Sequence, residues 1–172
     1  MDESVGIYAL DPGTTSAVAR GIFPYNESVW EGIEAGKWDS WEVNGTPGVQ
    51  AWEIMGEYMD WSRGIFPIRT ILVFEDFVVR LGSGAASRRE LLDPVRVTSG
   101  CETLCWTRQG LRWAFPEYQP TSDMLFATNA RLRAHGMWVK GSDHRRDAVR
   151  HMIKKYGEYI QKNRKRVRTR LA

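Results

Sequence analysis

The chain has 172 residues, 42% of them apolar and 12% aromatic, which fits one domain with a substantial buried core. No stretch approaches the ~18 consecutive apolar residues of a membrane span, and Asp2 and Glu3 break the basic-then-apolar order of a signal peptide. A soluble cytoplasmic protein with no membrane partner is therefore expected.

The formal charge of +3 is unevenly spread, because residues 151–172 carry eight lysines and arginines against the single acid Glu158. The remainder is mildly acidic. A basic end on an acidic body points to a polyanion partner, since each cation that neutralises a phosphate releases condensed counterions. The plainer reading is a solvated tail. The two cysteines, Cys101 and Cys105, are four apart and lack the further ligands of a zinc site, so buried reduced thiols are expected.

In chain order, residues 4 to 11 read as a buried strand closed by the turn Pro12-Gly13, and Ser16 to Phe23 as its hairpin partner. Residues 24–36 read as irregular. Trp38 to Val43 alternates apolar and polar residues as a third strand, which Asn44-Gly45-Thr46-Pro47-Gly48 ends. From Val49 to Arg63, Val49, Trp52, Met55 and Met59 recur at helical spacing, and Thr70 to Val79 is a strongly β-forming run. A Ser/Arg-rich bend at 82–89 precedes a helix around Val95 to Thr107 and a short strand near Arg112 to Phe115. Thr121 or Ser122 can cap a helix reaching Ala134, and Ser142 or Asp143 caps a final helix whose apolar stripe is Val149, Met152, Ile153 and Tyr156. Five strands mixed with helices predict an α/β domain over 1–155, its first two strands antiparallel, followed by a basic C-terminal tail over 156–172.

Acids in three elements interrupt this pattern in positions that need a chemical reason. Asp11 ends an apolar strand immediately before Pro-Gly, which holds its carboxylate at the rim of a sheet. Glu75 and Asp76 sit inside the apolar run Ile71 to Val79, where a charge needs a metal or a cation, and alternation puts only one of them on each face. His144, Asp147 and His151 line one stripe of the last helix. Taken singly, each has an ordinary explanation: a turn residue, an edge carboxylate, a polar helix face. Clustered carboxylates repel one another and are suited to hold hard divalent cations such as magnesium; two ions about 3.5–4 Å apart can activate water and stabilise a leaving oxygen in phosphodiester hydrolysis.

The segments Ile7-Tyr8-Ala9-Leu10-Asp11-Pro12-Gly13-Thr14-Thr15, Leu72-Val73-Phe74-Glu75-Asp76-Phe77 and Asp143-His144-Arg145-Arg146-Asp147-Ala148 occur in an order and at intervals that resemble the RuvC-type Holliday junction resolvases of the RNase H-like superfamily. The resemblance spans about residues 5 to 155. It implies an RNase H-like fold, a mixed five-stranded sheet with an antiparallel initial hairpin flanked by helices. It implies that Asp11, Glu75, His144 and Asp147 are catalytic metal ligands for Mg2+ or Mn2+, two ions per site. It further implies a homodimer that cuts opposite strands of branched DNA in a bacterial or phage-infected cell. Asp143 reads first as an N-cap, and Asp76 is expected on the face opposite Glu75. Two departures affect DNA handling: Met124 stands where the family has a lysine, and Val78 where it has an aromatic, with Phe77 adjacent. Forks and flaps therefore join junctions as expected substrates.

Phosphate contacts are expected from Arg80, Arg88, Arg89, Lys154, Lys155, Arg164, Lys165 and Arg166, with Arg96, Arg131 and Arg133 also available. The Asp11 to Ser16 loop also resembles the first phosphate loop of the actin, chaperone and sugar-kinase ATPases, but no second such loop occurs in the sequence. A non-catalytic DNA-binding module and other RNase H-like nucleases, acting on RNA:DNA hybrids or in viral packaging terminases, are the remaining alternatives. Trp38, Trp41 and Trp52 are expected in a core or dimer contact.

Overall fold

The computed structural model describes residues 4–76, 88–107, 116–120 and 126–171, with side chains outside 88–91 and 166–171. In chain order the elements are β1 (Val5–Asp11), β2 (Ser16–Phe23), α1 (Val29–Ala35), β3 (Lys37–Val43), α2 (Pro47–Gly64), β4 (Arg69–Asp76), α3 (Arg88–Thr107), β5 (Glu117–Pro120), α4 (Asn129–Ala134) and α5 (Asp143–Leu171). The five strands form one mixed sheet in the order β3-β2-β1-β4-β5. β1 runs antiparallel to β2 and parallel to β4, and β5 is parallel to β4.

Both faces of the sheet are covered, which is why β1 is buried along its whole length and reads as a continuous apolar run. Ile7, Ala9, Ala17, Ala19 and Val73 face α5, where Val149, Met152, Ile153 and Tyr156 meet them. Tyr8, Leu10, Val18, Leu72 and Phe74 face the opposite way, onto α2 and α3 through Ile54, Met55, Tyr58 and Val97. Each large side chain so buried contributes about 1.5–3 kcal/mol of transfer free energy. Tyr8 keeps its hydroxyl satisfied by donating to Ile54 O at 3.0 Å.

Several expected boundaries move. Residues 24–36 contain α1, where Ser28 Oγ accepts from Glu31 N and Ile33 is buried. The expected strand over 112–115 lies outside the described residues, and β5 is found at Glu117–Pro120. The Thr121 or Ser122 cap also lies outside them; the helix reaching Ala134 starts at Asn129, capped by Thr128. α3 begins at Arg88 and continues through Pro94 instead of starting after it.

The boundary expected at 155/156 falls inside α5, which is helical through Leu171. Tyr156, Tyr159 and Ile160 belong to the core, so the basic segment continues the fold's longest helix. No helix among the described residues is long and apolar enough to cross a membrane. Both thiols are free, Cys101 buried and Cys105 half-buried.

Candidate active site

The pairing of β1 with β4 runs to Leu10 beside Phe74, so Asp11 and Glu75 follow side by side at the carboxyl ends of two parallel strands. Alternation directs both toward α5, and they are only 4% and 7% exposed. Asp76 is exposed, as its place on the other side of the strand requires. One strand further out, Gln119 pairs in register with Glu75. It too faces α5, where His151 Nδ1 donates to Gln119 Oε1 at 3.1 Å.

α5 presents its first two turns to this rim. Ser142 is its N-cap, its Oγ accepting from Arg145 N at 3.1 Å and donating to Glu42 on β3. Arg145 donates to Ser40 Oγ at 3.2 Å from the next turn, so the helix start is held to the sheet edge. His144 then reaches Asp11: its Nδ1 donates to Asp11 Oδ2 at 2.9 Å. Asp147, half-buried, is ion-paired with Arg150, whose guanidinium also bonds Ala127 O and Asn129.

The β1–β2 turn that carries Asp11 is fixed from below by a buried glutamine. Gln50 Oε1 accepts from Ser16 N at 3.1 Å, while its Nε2 donates to Thr14 O at 2.8 Å and Gly45 O at 3.0 Å. Gly13 is required within the turn, because a Cβ there would meet Thr15 O at 2.7 Å. The sequence signal for Gln50 was available only in part: a polar residue on the inward side of α2. Arg150 gives no sequence signal, since an i,i+3 pair carries no distinctive pattern.

These groups feel one another electrically. The hydrogen bond to Asp11 raises the His144 imidazole above its ordinary pKa against the opposing effect of burial, with Asp147 and Glu42 adding to the rise. Burial raises the Asp147 carboxyl above its ordinary range; Glu75 adds to this, and Arg150 opposes it without prevailing. Asp11, Glu75, His144 and Asp147 are therefore brought to one rim from three elements. As arranged, no three His, Cys, Asp or Glu groups among the described residues stand close enough to hold one ion. The donor chemistry nevertheless fits a hard divalent cation. Two nearly buried carboxylates lie beside a third whose charge is disfavoured, and a cation relieves both the burial and the repulsion. A cation at this rim would compete with the contacts that Asp11 makes to His144 and Asp147 to Arg150.

The expected phosphate contacts divide. Arg80 lies outside the described residues, and Arg88, Arg89 and Arg166 are placed only as backbone of α3 and α5. Lys155 is buried at 8% exposure and ion-paired with Glu117 and Glu158, both at 2.6 Å, so its charge ties α5 to β5 and is not presented to a ligand. Arg164 donates to Glu27 O, anchoring α5 to the segment before α1. Lys154 is half-buried and Lys165 exposed.

The strand order, the antiparallel initial hairpin and the helices on both faces make this an RNase H-like fold. Among solved structures the chain is similar to T. thermophilus RuvC in complex with Holliday junction substrate, with a TM-score of 0.57 and 9% identity over 91% of this chain and 96% of that one. A second Thermus thermophilus RuvC structure matches with a TM-score of 0.52 and 12% identity, again over 91% and 96%. No protein-family model matches the sequence, and no curated protein does.

Proposed function

We propose that this protein is a divalent-metal-dependent endonuclease that cuts phosphodiester bonds in branched DNA, resolving four-way junctions by paired incisions as a homodimer. The observation that carries the reading is the placement of Asp11 and Glu75 side by side at the ends of β1 and β4, faced by His144 and Asp147 on α5. The likeness in fold to a RuvC bound to a Holliday junction supports the substrate class.

In this reading Asp11, Glu75 and Asp147 hold Mg2+ or Mn2+, two ions per site, with His144 as the fourth ligand or as a carrier of a proton. Bound there, the ions supply Lewis-acid activation of water and stabilisation of the leaving oxygen. The chain's own contribution is placement. Gln50 fixes the turn behind Asp11, and the Ser142 and Arg145 contacts fix the helix that carries His144 and Asp147. A histidine ligates only through a ring nitrogen that carries no proton, so His144 would have to be neutral to serve as the fourth ligand.

The homodimer is supported by apolar side chains left exposed on the α2 and α3 side: Val49 at 54%, Trp52 at 61% and Val95 at 38%. The basic residues on α3 and on the end of α5 are proposed to follow the duplex arms. Cleavage of a labelled four-way junction, fork, linear duplex and RNA:DNA hybrid, with and without Mg2+ or Mn2+, tests this function. Metal-dependent symmetric cuts in the junction are expected. Preferential cutting of the hybrid overturns the substrate class, and tight junction binding without cutting under either metal overturns the enzyme.

A further inference from the structure

A second basic surface lies beside the start of α5, and none of it belongs to the carboxylate cluster. Trp138, half-buried, is packed by two guanidinium groups: Arg133 lies 4.0 Å from its ring centroid and Arg146 4.5 Å. The two arginines differ in what else they do. Arg146 is largely buried, ion-paired with Asp143 and donating to Val139 O at 2.8 Å, so its charge is neutralised and its position is structural. Arg133 is exposed, and among the described residues no ion pair engages it. Its guanidinium packs against the indole, an interaction that restrains the long side chain without consuming its hydrogen bonds.

Lys140, likewise exposed and outside any ion pair among the described residues, follows Trp138 by two residues, within about 7 Å along the backbone. It precedes His144 by four, a span of no more than about 14 Å. At ~3.4 Å of helix axis per phosphate on one strand, that reach covers about four nucleotides.

We propose that Arg133 and Lys140 form a phosphate clamp that grips the DNA backbone a few nucleotides from the bond cut at the Asp11–Glu75 rim, with Trp138 pre-setting the Arg133 guanidinium. The proposal rests on the nuclease reading above. It assigns grip near the site to Arg133 in the last turn of α4 and Lys140 between α4 and α5, whereas the sequence named Arg133 only as one of several available arginines and did not single out Lys140. Exposed Asp143 does not cancel the clamp, because Arg146 already neutralises it.

The test is the salt dependence of junction binding in EDTA, where nothing is cut, for the wild type, for Arg133→Gln with Lys140→Gln, and for Arg63→Gln with Arg69→Gln. The last pair removes equal charge at the opposite end of the sheet, where α2 ends and β4 begins. Each phosphate contact contributes about 0.9 to the slope of log K against log salt, so the clamp variant is expected to lose about 1.8. Counted from 1 M salt, this is about 60-fold weaker binding at 0.1 M. The control pair is expected to keep the wild-type slope, and all three proteins the same melting temperature. An unchanged slope in the clamp variant, or an equal loss in the control, overturns the clamp while leaving the nuclease reading intact. A wild type that binds no DNA overturns the reading on which the clamp rests.

Discussion

Gly32→Ala offers a sharp check on how α1 and α5 are joined. A Cβ at position 32 would lie 1.8 Å from Tyr156 Oη and 2.7 Å from Tyr156 Cζ, far inside the ~3.5 Å of ordinary contact. The ring is fully buried and its hydroxyl donates to Pro24 O at 2.6 Å, so it cannot retreat without breaking that bond. Loss of the hydrogen bond costs about 1–2 kcal/mol and overpacking about 1–3. Helix propensity returns only ~1 kcal/mol on replacing Gly by Ala, so a net destabilisation near 3 kcal/mol is expected. In a chain of this length that lowers Tm by roughly 6–12 °C, read by circular dichroism or calorimetry. Tyr156→Phe removes the nearest clashing atom. Alone it is expected to cost ~1 kcal/mol, but combined with Gly32→Ala it should cost less or nothing, a coupling of the size seen for residues in contact. A Gly32→Ala protein as stable as the wild type, or more so, would refute the packing of the middle of α5 against α1.

Three further outcomes follow from the site and its surroundings. Ser142→Ala removes the N-cap of α5 and a partner of Glu42, and should lower stability by about 1–2 kcal/mol in thermal melts. His144 should titrate above the ordinary histidine value in metal-free NMR and fall in Asp11→Asn, where burial acts unopposed by that hydrogen bond. Because the folded-state value is the raised one, the His144–Asp11 pair contributes its stability below the unfolded histidine pKa, and that stability is lost as pH rises through the folded value. Cys105 is pushed up to about 11 by burial, with Glu102 adding to it. At pH 8 the thiolate fraction is thereby depressed, so Cys105 should react with a disulfide reagent more slowly in the native than in the unfolded protein.

The site was legible in sequence where charge interrupts an apolar pattern. Asp11 and Glu75 stand out because β1 and β4 are buried on both faces, leaving no ordinary use for a carboxylate there. His144 and Asp147 were legible only through family resemblance, since a polar helix stripe has many causes. The residues that hold the site were not legible. Gln50 acts through three hydrogen bonds, two of them to the β1–β2 turn far away in sequence, and Arg150 through α4's flank. α1 escaped notice because seven residues containing a glycine cannot form a helix alone; packing against Tyr156 and Ile33's burial stabilise it. In α5 the charge of 156–172 obscured an apolar stripe continuing through Tyr156, Tyr159 and Ile160. Lys155 shows the same limit, since its burial against Glu117 depends on where β5 lies.

The central claim is that carboxylates from β1, β4 and α5 act as one metal site on DNA. It is tested most directly by Mg2+-dependent, single-turnover cleavage of a four-way junction with Glu75→Gln, Asp147→Asn and the double variant. A shared site predicts that either substitution alone removes nearly as much rate as both together, because groups acting as a unit are strongly non-additive. Retention of wild-type cleavage by either single variant, or losses that simply multiply in the double, would contradict it.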